Sequence, residues 1–194
     1  MTKEKDFFQT FCNLSQALGT AATVEELLTL IVESAKEAMK GKASCLFLAD
    51  QKKDVFVPKA QTGLSDNYLH ANPLKAKKVV SALKDKGCLV FEDATADPRL
   101  EHHEAKKAEG IASILTVPVM VEDRCIGVLS LYTAEQRSFS DDDIFFLSAL
   151  ANSGGIALKK ARLIERIEKN SILFLDLASA INSSLEIKKV LHNL

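Results

Sequence analysis

The chain has 194 residues, enough for one domain with an appendage or for one domain and part of another, and long enough to bury a core. Hydrophobic residues make up 47% and charged residues 26%, and the formal net charge of -1 excludes bulk attraction to nucleic acid or to anionic lipid. No apolar run approaches the roughly 18 to 20 residues of a membrane span, and the opening MTKEKDFFQT lacks the apolar core of a signal peptide, so the expected location is the cytoplasm.

In chain order, Phe7, Phe8, Phe11, Leu14 and Leu18 recur at three and four residues and predict a first amphipathic helix from Asp6 to Leu18. Thr23 stands as N-cap before a second, with Leu27, Leu28, Ile31, Val32, Ala35, Ala38 and Met39 on one face and Gly41 placed to end it. Ala43 to Asp50 reads as a strand and Val55 to Thr62 as its hairpin partner. Pro58 cannot donate to a ladder, which puts that partner at a sheet edge or puts a bulge at the proline. The chain then reads as irregular from Gly63 to Pro73, as a short helix around Ala76 to Leu83 ending at Gly87, and as a short strand from Cys88 to Phe91. A polar loop, Glu92 to Leu100, and a highly charged helix, Glu101 to Glu109, come next.

Gly110 to Tyr132 is the centre of the fold on this reading. Its two apolar runs, Ile111 to Val121 and Cys125 to Tyr132, are broken by Glu122, Asp123 and Arg124, a hairpin pattern. Both runs are apolar on both faces, so the hairpin belongs in the middle of a covered sheet. Ser140, followed by three aspartates, caps a final helix whose apolar spacing continues to about Ile181. A helix of about 40 residues extends about 60 Å, more than a domain of this size covers, so part of it must protrude and find a partner. Gly154 and Gly155 either kink that helix or permit a close backbone approach.

Shifting the chain against itself by about 163 residues brings Phe11, Leu14, Ala17 and Leu28 onto Phe174, Leu177, Ala180 and Leu191. The same shift sets Leu18, Thr20, Val24 and Leu27 against Ile181, Ser183, Ile187 and Val190. The resulting organisation is a sensor-like domain at 7–160, a connector helix at 161–181 and the start of a second similar module at 177–194.

The element order resembles the GAF sensor family. The residues that carry the resemblance are DATADPRL (93–100), GIASILTVPV (110–119), CIGVLSLY (125–132), FSDDDIFFLSALANSGGIAL (139–158) and ARL (161–163). The resemblance implies an α/β fold of the α+β kind: a central antiparallel sheet, helices from both chain ends on one face, and a ligand pocket on the other, roofed by Gly63 to Glu109. It also implies a regulatory input module, often dimeric through terminal helices, ahead of an output domain such as a kinase, a cyclic-dinucleotide enzyme or a transcription activator.

The residues that mark particular branches of the family are mostly missing. There is no Asn-Lys…Phe…Asp-Glu signature of cyclic-nucleotide binders, and none of Cys12, Cys45, Cys88 and Cys125 precedes a histidine as bilin-binding cysteines commonly do. The loop that bears cysteines in free methionine sulfoxide reductases is here EDATADPRLEHHEAKKAEG, without a thiol. The four scattered cysteines have no CxxC spacing and read as reduced, mostly buried thiols. Adjacent His102 and His103 point about 100° apart on a helix and do not share a metal from one face. In a segment this polar they read as solvated, against haem ligation. Asp97, Pro98 and Arg99 read as a turn, with Arg99 as the alternative anion clamp. The basic cluster Lys75, Lys77 and Lys78 reads as the wet side of a helix.

The expected function is small-molecule sensing and dimerisation in a signal-transduction protein, relayed through the C-terminal helix, with no catalysis, no metal and no assigned cofactor. Pocket candidates are Phe47, His70, Arg99, Thr116, Ser130 and Tyr132; strand facing hangs on register, since a one-residue slip reverses it. Candidates for the dimer and relay helices are Phe8, Phe11, Ala157, Ala161, Ile164, Ile167 and Leu175. Expected partners are a second copy, an output domain in the same polypeptide and a small molecule, with neither nucleic acid nor membrane. The alternatives are a ligandless dimerisation module and, further off, a redox enzyme of the free methionine sulfoxide reductase type.

Overall fold

The computed structural model describes residues 7–192 apart from 15, 17–22, 51 and 72–75. The chain divides into two compact units, Met1–Ala157 and Leu158–Leu194. The first unit carries a five-stranded, wholly antiparallel sheet in the order β2-β1-β5-β4-β3. Its strands are β1 (Ala43–Asp50), β2 (Val55–Thr62), β3 (Leu89–Phe91), β4 (Ser113–Val121) and β5 (Arg124–Thr133). The expected central hairpin is β4–β5, and β5 is the middle strand.

Both readings of Pro58 hold at once. β2 is an edge strand, and the register steps from Leu46 opposite Ala60 to Phe47 opposite Pro58, leaving Lys59 as the extra residue of a bulge. A proline interrupts no interior ladder there.

Helices from both chain ends cover one face of the sheet. Residues 7–14 form α1, and α2 spans Val24–Ala38. Thr23 accepts the N–H of Glu26 while Glu26 reaches back to the N–H of Thr23, a reciprocal capping box that satisfies two otherwise orphaned donors. The left-handed residue after α2 is Lys40 (φ 52°), not Gly41. Gly41 is needed for a different reason: a Cβ there would stand 2.6 Å from Leu131 Cδ1 and 3.1 Å from the Tyr132 carbonyl oxygen. The last helix, α6 (Asp141–His192), runs past Ile181 as one element. Its start is capped by Ser140, whose Oγ accepts the N–H of Asp143. The Asp143 carboxylate accepts in return from the Ser140 N–H and hydroxyl and pairs with Arg137.

Leu27, Leu28, Ile31 and Val32 of α2 and Leu147, Leu150 and Ala151 of α6 are buried with Leu46, Leu115, Val117, Leu129 and Leu131 of the strands. At Gly155 an added Cβ would lie 2.1 Å from the Met120 carbonyl oxygen, and at Gly154 it would lie 3.3 Å from Ile31 and Leu46. The paired glycines therefore serve close approach of helix to sheet. Phe7 of α1 stacks on Phe146 of α6, ring centroids 4.1 Å apart.

The other face is roofed by α3 (Asp66–Ala71) and α4 (Ala76–Lys86), with α5 (His103–Glu109) following β3. Helix α3 replaces part of the expected irregular stretch. Six residues are too few to print a helical period, and its start is set by Ser65, whose Oγ accepts from the Tyr68 N–H. The second unit, where described, is the remainder of α6. It carries exposed Leu163, Ile164, Ile167, Ile172 and Leu175. The side chains of 176–192, on which the expected repeat and second module depend, lie outside the described residues, as do Ala17, Leu18 and Thr20.

Candidate functional site

The register places Phe47, Thr116, Ser130 and Tyr132 on one face of the sheet. Thr116 stands opposite Ser130, Cys45 also opposite Ser130, and Phe47 opposite Val128, so alternate residues of three neighbouring strands converge. This is the face under α3 and α4. Its sheet residues Cys45, Phe47, Phe91, Ile114, Val128 and Tyr132 form one buried cluster with Leu64, Ala76 and Leu83, and Tyr68, Leu69, Val79 and Val80 pack against it. Four of the six pocket candidates thus share a surface.

A short polar strip crosses that apolar floor. The Thr116 and Ser130 hydroxyls are 2.9 Å apart, and Tyr132 follows on the same face of β5. Tyr68 of α3 meets Tyr132 edge-on at 6.3 Å. Burial, then the charge of Glu109, then Cys45 push the Tyr68 phenol up to about 12, and burial drives Tyr132 up as well. Burial also raises the Cys45 thiol. The strip is neutral at physiological pH.

The roof is pinned at both ends. Glu109, at the end of α5, accepts from the Ser65 N–H at 2.8 Å and from the Ser65 hydroxyl at 2.6 Å, with Lys42 Nζ at 4.0 Å. Asp54 in the β1–β2 turn accepts the Ala76 N–H through its carbonyl (3.1 Å) and the Lys77 N–H through its carboxylate (3.0 Å).

Arg99 is held in place through Nε and Nη2. It chelates Asp97, donates to the Val90 carbonyl at 2.9 Å, and lies over the Phe91 ring at 4.6 Å. Asp97 in turn accepts the Arg99 N–H, which is the local turn expected of it. The loop borders an open cleft of about 490 Å³ lined by Val90, Glu92, Asp93, Ala96, Asp97 and Arg99. A second cleft of about 510 Å³ lies among Lys40, Lys42, Thr133, Glu135 and Arg137. Neither reaches the hydroxyl strip. His70 belongs to α3, but its side chain lies outside the described residues.

His102 is exposed, as expected, while His103 departs from a solvated reading: it is half-buried, and its Nε2 stands 2.9 Å from the Asp97 carbonyl. Among the described residues no group of three histidine, cysteine or acidic side chains is placed to hold a metal. All four cysteines are free, and burial raises the thiols of Cys88 and Cys125 as well as Cys45. A thiol raised this way is a poor nucleophile at neutral pH. Of the helix candidates, Phe8 is 70% and Ile167 64% exposed, whereas Ala157 is buried. The pattern reading passed over Phe145 and Ile156, both exposed on α6.

A sequence model of the GAF domain matches residues 21–159. The chain belongs to the GAF domain family. No curated protein matches it in sequence. Among solved structures it is similar to the GAF domain of a phosphoenolpyruvate-protein phosphotransferase from Coxiella burnetii, at 20% identity and a TM-score of 0.72, over 84% of this chain and 98% of that one. A domain of a two-component sensor histidine kinase protein from Sinorhizobium meliloti matches at 21% identity and a TM-score of 0.61, over 73% and 94%. The free methionine-R-sulfoxide reductase of Neisseria meningitidis, solved in complex with its substrate, matches at 18% identity and a TM-score of 0.66, over 81% and 91%. At these identities the likeness is one of fold. Among the described residues, no helix is long and apolar enough to cross a membrane.

Proposed function

We propose that the chain is the regulatory input domain of a cytoplasmic signal-transduction protein, one that senses a small molecule, pairs with a second copy and passes the signal along α6. The observation that carries this reading is the union of two features on one scaffold. One is a roofed sheet face with a hydrogen-bonding strip. The other is α6, which packs on the opposite face through Leu147, Leu150 and Ala151 and later bears the exposed Leu163, Ile164, Ile167, Ile172 and Leu175. Exposed apolar side chains in such number favour association. A molecule that contacts the roof differently in two states shifts the sheet, and with it the helix seated on Met120 through Gly155. Membership of the GAF family and the likeness to a domain of a sensor histidine kinase protein support the same reading.

The filled state of the face favours a second reading. Phe47, Phe56, Leu64, Leu83, Phe91 and Tyr132 pack together under the roof, as expected of a ligandless module that only dimerises and spaces domains. Reductase chemistry has the least support, because the loop flanking the face carries no thiol and burial raises the thiols of Cys45, Cys88 and Cys125.

Native mass spectrometry separates the first two readings. A dimer with excess mass per protomer supports the sensor, and a ligand-free dimer supports the spacer. A monomer removes the relay. Ending the chain after Leu158 is expected to give a folded monomer; a truncated protein that stays dimeric with unchanged stability sinks the role of the helix.

A further inference from the structure

The roofed face shows a consistent chemistry that the sensor reading alone does not specify. Among the described residues the buried charged side chains are Lys106 and Asp143. Both are committed away from the face: Lys106 donates to the Glu101 carbonyl, and Asp143 pairs with Arg137 and caps α6. What the face offers is aromatic and aliphatic surface plus the Thr116, Ser130 and Tyr132 hydroxyls, the Tyr68 phenol and the Cys45 thiol. Among the described residues nothing on this face offers a charged molecule a counter-charge for the hydration it would lose, a loss that a buried apolar surface does not tolerate.

The way in is marked by a single contact. Ser65 begins α3, and its hydroxyl both accepts from the Tyr68 N–H and donates to Glu109. Tyr68 is the α3 residue whose ring closes over Tyr132. Glu109 therefore holds down, through one serine, the helix that covers the hydroxyl strip. On the basis of the sensor reading, we propose that this face takes an uncharged, largely apolar molecule bearing a hydrogen-bonding group, and that the Glu109–Ser65 contact is the latch whose release admits it. The hydroxyls of Thr116 and Ser130, paired with each other in the closed state, supply the donor and acceptor that fix its orientation.

Cys45 is fully buried on this face and reports its opening. The test uses the full chain carrying Cys12→Ser, Cys88→Ser and Cys125→Ser, so that iodoacetamide reads Cys45 alone. Adding Glu109→Ala should speed alkylation about tenfold or more, the loss expected for two bonds to a charged acceptor, through an opening that depends on urea much less steeply than global unfolding does. Ser65→Ala, which removes the hydroxyl's bond to Glu109 together with the one it accepts from the Tyr68 N–H, should also speed alkylation, and it keeps the latch testable if Glu109→Ala does not fold. Nile red, an uncharged dye, should slow alkylation of the unlatched protein, and the anionic anilinonaphthalene sulfonate should not. An unchanged rate, or one whose dependence on urea equals that of global unfolding, overturns the latch. Equal protection by the anionic dye overturns the ligand class, and no protection by Nile red overturns the site. None of these outcomes touches the oligomeric state, so the input-domain reading still stands or falls on native mass spectrometry.

Discussion

Gly155 shows how little room some positions leave. A Cβ 2.1 Å from the Met120 carbonyl oxygen meets backbone, not a side chain that turns aside, so Gly155→Ala must push α6 off the sheet. We expect a loss of about 2 kcal/mol or more, read as a lower urea midpoint, whereas an alanine at Gly87, which has open space but a left-handed φ of 73°, should cost less. The carboxylates supply a second residue-scale expectation. Burial pushes Glu109 up, but the two bonds from Ser65 and the charge of Lys42 outweigh it and hold the group below the usual range. Asp97 is lowered chiefly by its bond from Arg99. A carboxylate whose folded pKa is depressed stabilises the native state above its unfolded value, about 4.3 for glutamate, and loses that contribution as pH falls through the folded value. Urea midpoints should therefore be level near neutrality and fall below about pH 4.3. Glu109→Gln should flatten that decline, and an equal slope in the variant would remove Glu109 from the account.

Elements were legible where their pattern is local and long. The strands β1 and β2 and the capping of α2 and α6 follow from two short runs around a polar turn, a proline, and two hydroxyl caps each three residues from its bonded partner. Helix α3 was not, because it is shorter than two turns and depends on a tertiary contact. Facing of the pocket candidates became readable once β4 and β5 were central, since apolar runs fix register and register fixes which side each residue takes. The Ser65–Glu109 latch left no trace in the sequence: its partners are 44 residues apart and each is an ordinary polar residue in a polar stretch. The same holds for the tie between α2 and α6, where Arg137 donates to the Met39 carbonyl and to buried Asp143 while lying over Phe139. Removing Arg137 takes its guanidinium from a buried carboxylate, so Arg137→Leu should cost about 3 kcal/mol, measured by urea unfolding, and the double variant with Asp143→Leu should recover part of it.

At the scale of the molecule, the terminal helices bear exposed apolar side chains, among them Phe8, Phe11, Leu163, Ile164, Ile167, Ile172 and Leu175, and the net charge is close to zero. Association through them should be driven by area removed from water, so the proposed dimer is expected to persist from low salt to about 1 M, as sedimentation would show; a dimer lost with rising salt would point to charged contacts instead. Sheet order also bears on how the protein is made. The middle strand β5 is the last of the five in sequence, and it joins β1 to β4, with Leu46 opposite Leu129. While the chain is being synthesised, the β1–β2 hairpin therefore waits with one apolar edge unpaired until nearly the whole domain has left the ribosome. Non-local pairing of this kind folds slowly and exposes sticky edges meanwhile. A chain cut before Arg124 lacks the strand that closes the sheet and should aggregate, not form a smaller domain.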